Sequence, residues 1–581
     1  MTIFLVPIYV AEIASDDVRG KLGSVLPFAL SVGILLAFIL GDAMSYQMFA
    51  VCGMILPIAF VSGFVFMPET PIYPLRKRGI EAATRSLRWL RHNDEATVER
   101  ELASLKIFIE EDSRSVKSVS NGNSIVNLPA LLVGLSYGWT STMIPDLQVE
   151  KTSVLTEPIT EDQASWLVAA LGFGPLLVIP FCGSFCERYG RKITGLVGAV
   201  PYIACWLFIL VANNFYHILV AQALNGMANA MSIFFAPIYV AESVSDSIRG
   251  QLGSLFVLNL KIGIVCGYIL GTVLSYTMFA VCGLIIPILY VTGLLVLPET
   301  PVYLVRKQRI DEAIRSLMWF RGNDKSAVNI ELSKLQEFHN QKTERESLNT
   351  KDLLRSRGFI KGFVTALTVI LCQPACGMSP LLSYTVTIFV MAKSSVDPNL
   401  ATIVVGVMQV IGVGIATLTT ERAGRRPLLM VSAAGVALCN FILGVFLLIQ
   451  TWDYDVSAFS WIPLVSLSVF GVVYSIGMGA IPFIVATEVY HPHLASTCHT
   501  IILFIMFLCT GLIMKVFPLL VNEIGLDKCF FMFVIPCMYV FFFTWFVIPE
   551  TKGKSKKTIL EELNGVRGKS CEEINVKSVI V

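Results

Sequence analysis

The chain has 581 residues, of which 55% are apolar and only 15% are charged. Soluble chains carry about 25% charge, so an aqueous globular protein is disfavoured from the start. The formal net charge of +2 supplies no global basic field for gathering nucleic acid.

The N-terminus lacks the charged lead and cleavage site of a signal peptide. The apolar stretch ahead of Glu12 is too short to cross a bilayer, while the runs at 22–45 and 48–67 predict a hairpin with both ends cytosolic. This front end repeats a later segment. Residues 3–24 match residues 233–254 at fifteen of 22 positions at a fixed offset of 230, and the match continues through Pro68-Glu69-Thr70-Pro71 against Pro298-Glu299-Thr300-Pro301 and Arg91 against Arg321. The plain reading is a partial tandem duplication, or two adjacent reading frames joined. A regulatory appendage is the functional alternative.

A helix crosses the hydrocarbon core with about 20 mostly apolar residues. Twelve such runs follow, at 127–145, 165–184, 193–213, 216–241, 251–274, 277–297, 360–391, 400–419, 427–450, 460–487, 497–520 and 528–548. Basic segments follow spans two and eight, and fill the polar stretch 298–358 and the tail after 549. Acidic loops lie at 146–163 and 452–455. The excess of Lys and Arg orients the basic set to the cytosol. The predicted fold is all-α and polytopic: a partial duplicate at 1–115, a six-helix bundle at 125–297, a cytosolic helical linker at 298–358, a second six-helix bundle at 359–548 and a cytosolic tail at 549–581. Within the linker, 310–321 and 328–338 have helical periodicity. Fourteen cysteines are scattered, mostly inside apolar runs (Cys182, Cys205, Cys266, Cys372, Cys439, Cys509), with no disulfide or zinc spacing.

Charged motifs recur at matching span ends. After span two the chain reads Gly183 through Glu187, Arg188, Gly190, Arg191 and Lys192. Its counterpart after span eight is Glu421, Arg422, Gly424, Arg425 and Arg426. Partner carboxylates stand in Pro237-Ile-Tyr239-Val-Ala-Glu242, followed by Arg249, and in Pro482-Phe483 through Glu488. Spans six and twelve end in Pro298-Glu299-Thr300-Pro301 and Pro549-Glu550-Thr551.

Over about 125–560 this paired set resembles the sugar porter family of the major facilitator superfamily. Gly138-Trp139-Thr140-Ser141 and Ser165-Trp166 are most similar to its insect facilitated-trehalose-transporter branch. The resemblance implies a twelve-helix fold of two six-helix bundles that transports a sugar, trehalose or a hexose, by alternating access about a midplane site. It further implies a monomer in the plasma membrane, with lipid and a small sugar as partners, no nucleic acid and no cofactor. A cytosolic latch would comprise Glu187, Arg188, Arg191, Glu242 and Arg249 in one half, and Glu421, Arg422, Arg425 and Glu488 in the other.

For the sugar site, the resemblance points to Gln373, Gly377 and Ser379 of span seven, Gln409 of span eight, Asn259 of span five and Phe483 after span ten, with Thr140 and Thr510. Several family positions are altered. Pro374 replaces the second Gln of the span-seven pattern, Ser379 the Asn, Phe483 a Trp, Met506-Phe507 an Asn-Trp, Val257 the span-five Gln, and Gln222 and Ala495 two arginines. Each neutral partner lost costs about 0.5–1.5 kcal/mol. A weak sugar carrier, a less polar substrate and a silent paralogue therefore stay open.

Lys261 lies mid-span, where a charge is costly and by default functional; the competing reading is a lysine that reaches water along the cavity wall. Lys515, near the outer end of span eleven, reads as such a snorkelling lysine. Thr140 stands where proton-linked relatives carry an acid, which favours facilitated diffusion over proton symport. His491, His493 and His499 cluster at a cytosolic end and read as loop residues, not as metal ligands. A sugar sensor is a further alternative, and no nucleotide loop or catalytic constellation points to an enzyme.

Overall fold

The structure is a computed structural model that describes residues 67, 70–71, 75, 80–91, 94–95, 97–103, 125–149, 155–243, 246–321, 325–345, 357–452, 454, 456–489, 494–550 and 552. The expected hairpin at 22–45 and 48–67, His491, His493 and the tail beyond 552 fall outside these. The chain divides into two compact units, Met1–Lys117 and Ser118–Val581. Among the described residues there is no strand.

In the first unit, α1 spans Ile80–Leu90 and buries Ala83, Ser86 and Leu87. Arg91 follows it and pairs with Glu101 at 2.9 Å.

In the second unit, span one is α2 (Leu128–Leu147). Span two is a bent pair, α3 (Glu161–Phe173) and α4 (Ile179–Tyr189), joined by a tight turn at Gly174–Leu177 and angled by 45°. Pro175 and Pro180 flank the bend, where each removes a backbone donor. Spans three to six are α5 (Arg191–Leu210), α6 (Phe215–Ser243), α7 (Asp246–Val273) and α8 (Tyr276–Val296). The linker holds α9 (Pro301–Arg306), α10 (Ile310–Phe320) and α11 (Lys325–Arg345). Span seven is α12 (Arg357–Gln373) and α13 (Ser379–Met391) around a widened turn at Pro374–Met378. The rest are α14 (Pro398–Ala423), α15 (Arg425–Thr451), α16 (Ile462–Ile476) with α17 (Ile481–Val489), α18 (Ala495–Ile524) and α19 (Leu526–Phe546).

Ten of these segments are long and apolar enough to cross a membrane, and the bent pair makes an eleventh. The remaining predicted run is α2, which is more polar. Its Ser136, Thr140, Ser141 and Thr142 are all buried, because this helix packs among other helices instead of facing lipid. The linker helix α10 reproduces α1 at the offset of 230: Ala313, Ser316 and Leu317 are buried, and the following Arg321 pairs with Glu331 at 2.7 Å. The last linker helix, α11, begins earlier and runs longer than the predicted 328–338 segment.

Helix pairing repeats between the bundles. Span one packs on five, two on four, three on four and three on six; correspondingly seven packs on eleven, eight on ten, nine on ten and nine on twelve. Spans five and eight, two and eleven, and one and seven join the halves. Such pairing of one six-helix unit with its repeat is a pseudo-two-fold arrangement. Spans one and five approach through small residues. A Cβ on Gly138 would lie 2.5 Å from the Gly267 Cα, and one on Gly134 would overlap the Leu260 carbonyl. Lipid supplies no hydrophobic drive between helices, so close backbone contact of this kind holds them. Large apolar residues on the other faces stay exposed, among them Phe181, Val200, Leu289, Ile535 and Phe546, as a lipid-facing surface requires.

Candidate transport site

At the cytosolic ends, two turns share one construction. Gly190 (φ +100°) and Gly424 (φ +88°) precede α5 and α15, a left-handed geometry that a side chain would strain. The exposed first N–H groups of each helix then meet a carboxylate. Glu299 accepts from Arg191 N at 3.0 Å and from Lys192 N, and Glu550 accepts from Arg425 N at 3.0 Å and Arg426 N at 3.2 Å. Burial raises the Glu299 carboxyl above its ordinary value, while the backbone N–H bonds pull it back. Anions are favoured at helix N-termini. The two motifs ending spans six and twelve are thus caps for spans three and nine. Glu299→Gln and Glu550→Gln should each lower thermal stability in detergent by about 0.5–2 kcal/mol, with both losses read from the same melting curve.

The charged pairs close within each bundle. Arg191 is buried and pairs with Glu242 at 2.7 Å, and the other oxygen of Glu242 accepts from the Thr300 hydroxyl at 2.6 Å. Arg425 meets Glu488 at a looser 3.5 Å. Glu187 and Arg188 are exposed; Arg188 lies over the Tyr189 ring at 5.5 Å. Among the described residues Glu187 forms no ion pair. The side chains of Arg249, Glu421 and Arg422 lie outside the described residues.

Near the midplane, span seven breaks where the sequence places Gln373 and Pro374. Gly377 takes φ +93°, and its added Cβ would lie 2.7 Å from the Phe533 ring. Gln373 is buried and donates from Nε2 to the carbonyls of Met478 (2.7 Å) and Gly479 (3.0 Å). These carbonyls lie in the open turn between α16 and α17, beside Tyr474. The face of Tyr474 lies 5.9 Å from Lys261 Nζ. Lys261 donates to Gln409 Oε1 at 2.8 Å, a buried contact that joins the two bundles. Gln373, Tyr474, Lys261 and Gln409 are therefore one connected group.

Among the described residues, the other expected site residues make no hydrogen bond to it. Asn259, two residues from Lys261, falls on the opposite side of α7 and is half-buried. Thr140 and Thr510 are buried, with hydroxyls returned to Ser136 O and Met506 O of their own helices. Ser379 opens α13 and Phe483 packs at the edge of the core, both half-buried.

The outer ends hold residues that sequence reasoning did not bring together. Lys515 reaches an exposed carboxylate: its Nζ meets Asp162 Oδ1 at 2.5 Å and Ser165 Oγ at 2.7 Å, and sits 4.5 Å over the Trp166 ring. Asn522 donates to Glu161 at 2.7 Å, and Tyr268 donates to Leu382 O at 3.2 Å. All three join one bundle to the other, outward of Lys261. The one signal in sequence was the acidic start of span two opposite a basic outer end of span eleven.

Two pseudo-symmetric six-helix bundles, tied across their outer ends around a buried polar group, define a carrier of the major facilitator type. The family model described as "Sugar (and other) transporter" matches residues 122–563 and, separately, residues 1–143. The chain is 31% identical to the facilitated trehalose transporter Tret1 of Polypedilum vanderplanki over 452 residues, covering 78% of this chain and 89% of that protein. It is 30% identical to Tret1 of Apis mellifera ligustica over 455 residues, with the same shares covered. Among solved structures, the proton:xylose symporter XylE aligns with a TM-score of 0.62 at 18% identity, over 78% of this chain and 100% of that one. The chain belongs to the sugar transporter family and is a multi-pass membrane protein.

Proposed function

We propose that the protein carries a sugar, trehalose or a hexose-like molecule, across the plasma membrane by facilitated diffusion, its bundles rocking about the Gln373–Lys261–Gln409 group. One observation carries this reading. Among the described residues, the hydrogen bonds between bundles run from the midplane outward, whereas the cytosolic ion pairs close inside each bundle. That is the geometry of a carrier shut toward the outside, and reopening it parts these ties together with the packing of spans two and eleven. Facilitated diffusion is preferred to symport because the Thr140 hydroxyl, unlike a carboxyl, does not gain or lose a proton near neutral pH, and it bonds its own helix. Among the described residues the one carboxylate classed as buried is Asp527, at the outer start of α19.

The test is counterflow of labelled trehalose and D-glucose in proteoliposomes holding the full chain. Flux should run down either gradient and ignore a protonophore. Gln373→Ala should cut it at least tenfold. Flux that vanishes with the proton gradient sinks the uniporter reading, and no flux of either sugar sinks the sugar reading.

The outer ties predict a measurable bias. The Lys515–Asp162 pair is partly exposed and is worth about 1 kcal/mol at most, roughly a fivefold shift in population. Lys515→Ala should therefore raise the labelling of Thr510→Cys by an impermeant external thiol reagent about fivefold, in a background lacking native cysteines.

A further inference from the structure

Lys261 is only 6% exposed and lies in the middle of span five. Among the described residues no Asp or Glu lies within ion-pair distance of its ammonium. What it has is neutral: the Gln409 oxygen at 2.8 Å and the Tyr474 ring at 5.9 Å. An ammonium carries three donors and a full charge, so this environment leaves both the charge and part of its donor capacity unmet. Proteins rarely keep such a group in the bilayer without a use for it.

The Gln409 amide shows what is missing. An ammonium can only donate, so it is the Gln409 oxygen that faces Lys261, and the amide nitrogen is left over. That Nε2 is buried and finds no partner, on a residue that is 0% exposed. One buried lysine amine and one orphaned amide donor stand side by side. They also sit on opposite bundles. When the bundles rock, the 2.8 Å contact must part, and Lys261 then loses its one oxygen acceptor.

We propose that the preferred cargo is a monoanion, a sugar acid bearing a carboxylate, with that carboxylate accepting from Lys261 Nζ and Gln409 Nε2. This rests on the carrier reading above and narrows its substrate class. The changes elsewhere in the site fit it: span seven offers Pro374 and Ser379, and span eleven Met506 and Phe507, so the group is poor in neutral hydroxyl partners and holds a charge instead. A single lysine balances one negative charge. A phosphate ester, near two charges at neutral pH, would leave one unbalanced.

The experiment uses the purified full chain and four probes: D-glucose, D-glucuronate, D-gluconate and D-glucose 6-phosphate. It reads both proteoliposome flux and ligand-induced thermal shift in detergent. Wild type should take D-glucuronate at least tenfold better than D-glucose. Lys261→Gln should lower D-glucuronate flux at least tenfold more than it lowers D-glucose flux, and Lys261→Arg should keep most of the preference. Gln409→Leu should weaken D-glucuronate more than D-glucose. D-Gluconate, an open chain with the same charge, separates charge from ring recognition, and its binding supports the assignment. Wild type that moves D-glucose but not D-glucuronate overturns this inference and leaves the sugar carrier standing. Wild type that moves none of the four overturns this inference, and overturns the carrier reading as well if it also fails to move trehalose. Preference for D-glucose 6-phosphate overturns the carboxylate assignment, and so does equal loss of glucose and glucuronate in a Lys261→Gln protein that remains monodisperse.

Discussion

Gly172→Trp should stop net transport without unfolding the chain. Gly172 lies where spans two and eleven cross, and a Cβ placed there would stand 2.6 Å from the Gly511 Cα and 2.7 Å from its nitrogen. Those are backbone atoms and cannot swing aside as a side chain could. Even one extra methylene in a packed contact costs about 1–3 kcal/mol, and an indole is far larger. The outer-closed arrangement is then inaccessible, while the other arrangement, in which the two spans separate, accommodates the ring. Initial uptake should fall below about a tenth of wild type, since each 1.4 kcal/mol is tenfold in population. Binding from the outside should persist, as read by ligand-induced thermal shift. A protein that transports normally would show that spans two and eleven do not meet at Gly172 during the cycle.

The second large effect is on stability. Arg191 is 3% exposed and its side chain bonds Glu242 and the Cys186 carbonyl. Glu242→Gln leaves that guanidinium without its counter-charge, and breaking one side of a buried pair costs about 3–5 kcal/mol. The variant should melt well below wild type in detergent, with lower yield. Arg191→Met in the same chain should recover much of the loss, because an apolar side chain there no longer strands a charge. A Glu242→Gln protein as stable as wild type would show that solvent reaches the pair. The matching Arg425–Glu488 pair is longer, at 3.5 Å, so Glu488→Gln should cost less.

Much of the fold was readable in the chain. Lipid selects for apolar length and the cytosol for Lys and Arg, both properties of contiguous residues, so the span order, the six-plus-six division and the linker helix at Ile310–Phe320 could be read directly. Span one was counted as one of the twelve apolar runs, although its buried polar second half makes it less apolar than the other spans. The site was less legible. Gln373, Gln409 and Lys261 were each singled out in the sequence, and the structure joins them through Tyr474, which was not. Asn259 was picked for its nearness to an expected position, but two residues along a helix is about 200° around it, and it faces away from the group. Glu299 and Glu550 were visible as paired motifs with no role; capping becomes apparent only once the glycine turns are built beside them.

The sequence by itself determined a polytopic membrane protein of two six-span halves, because transfer between water and lipid is decided a residue and a helix at a time; its sugar-porter type came from the resemblance of its span-end motifs to that family. Only the tertiary structure decided which side chains meet. Lys261 and Gln409 are 148 residues apart, and Lys515 and Asp162 are 353 apart. Contacts of that range depend on how each helix is rotated and tilted against its neighbours. That is set by close packing over the whole bundle, and no local pattern of hydropathy or charge encodes it.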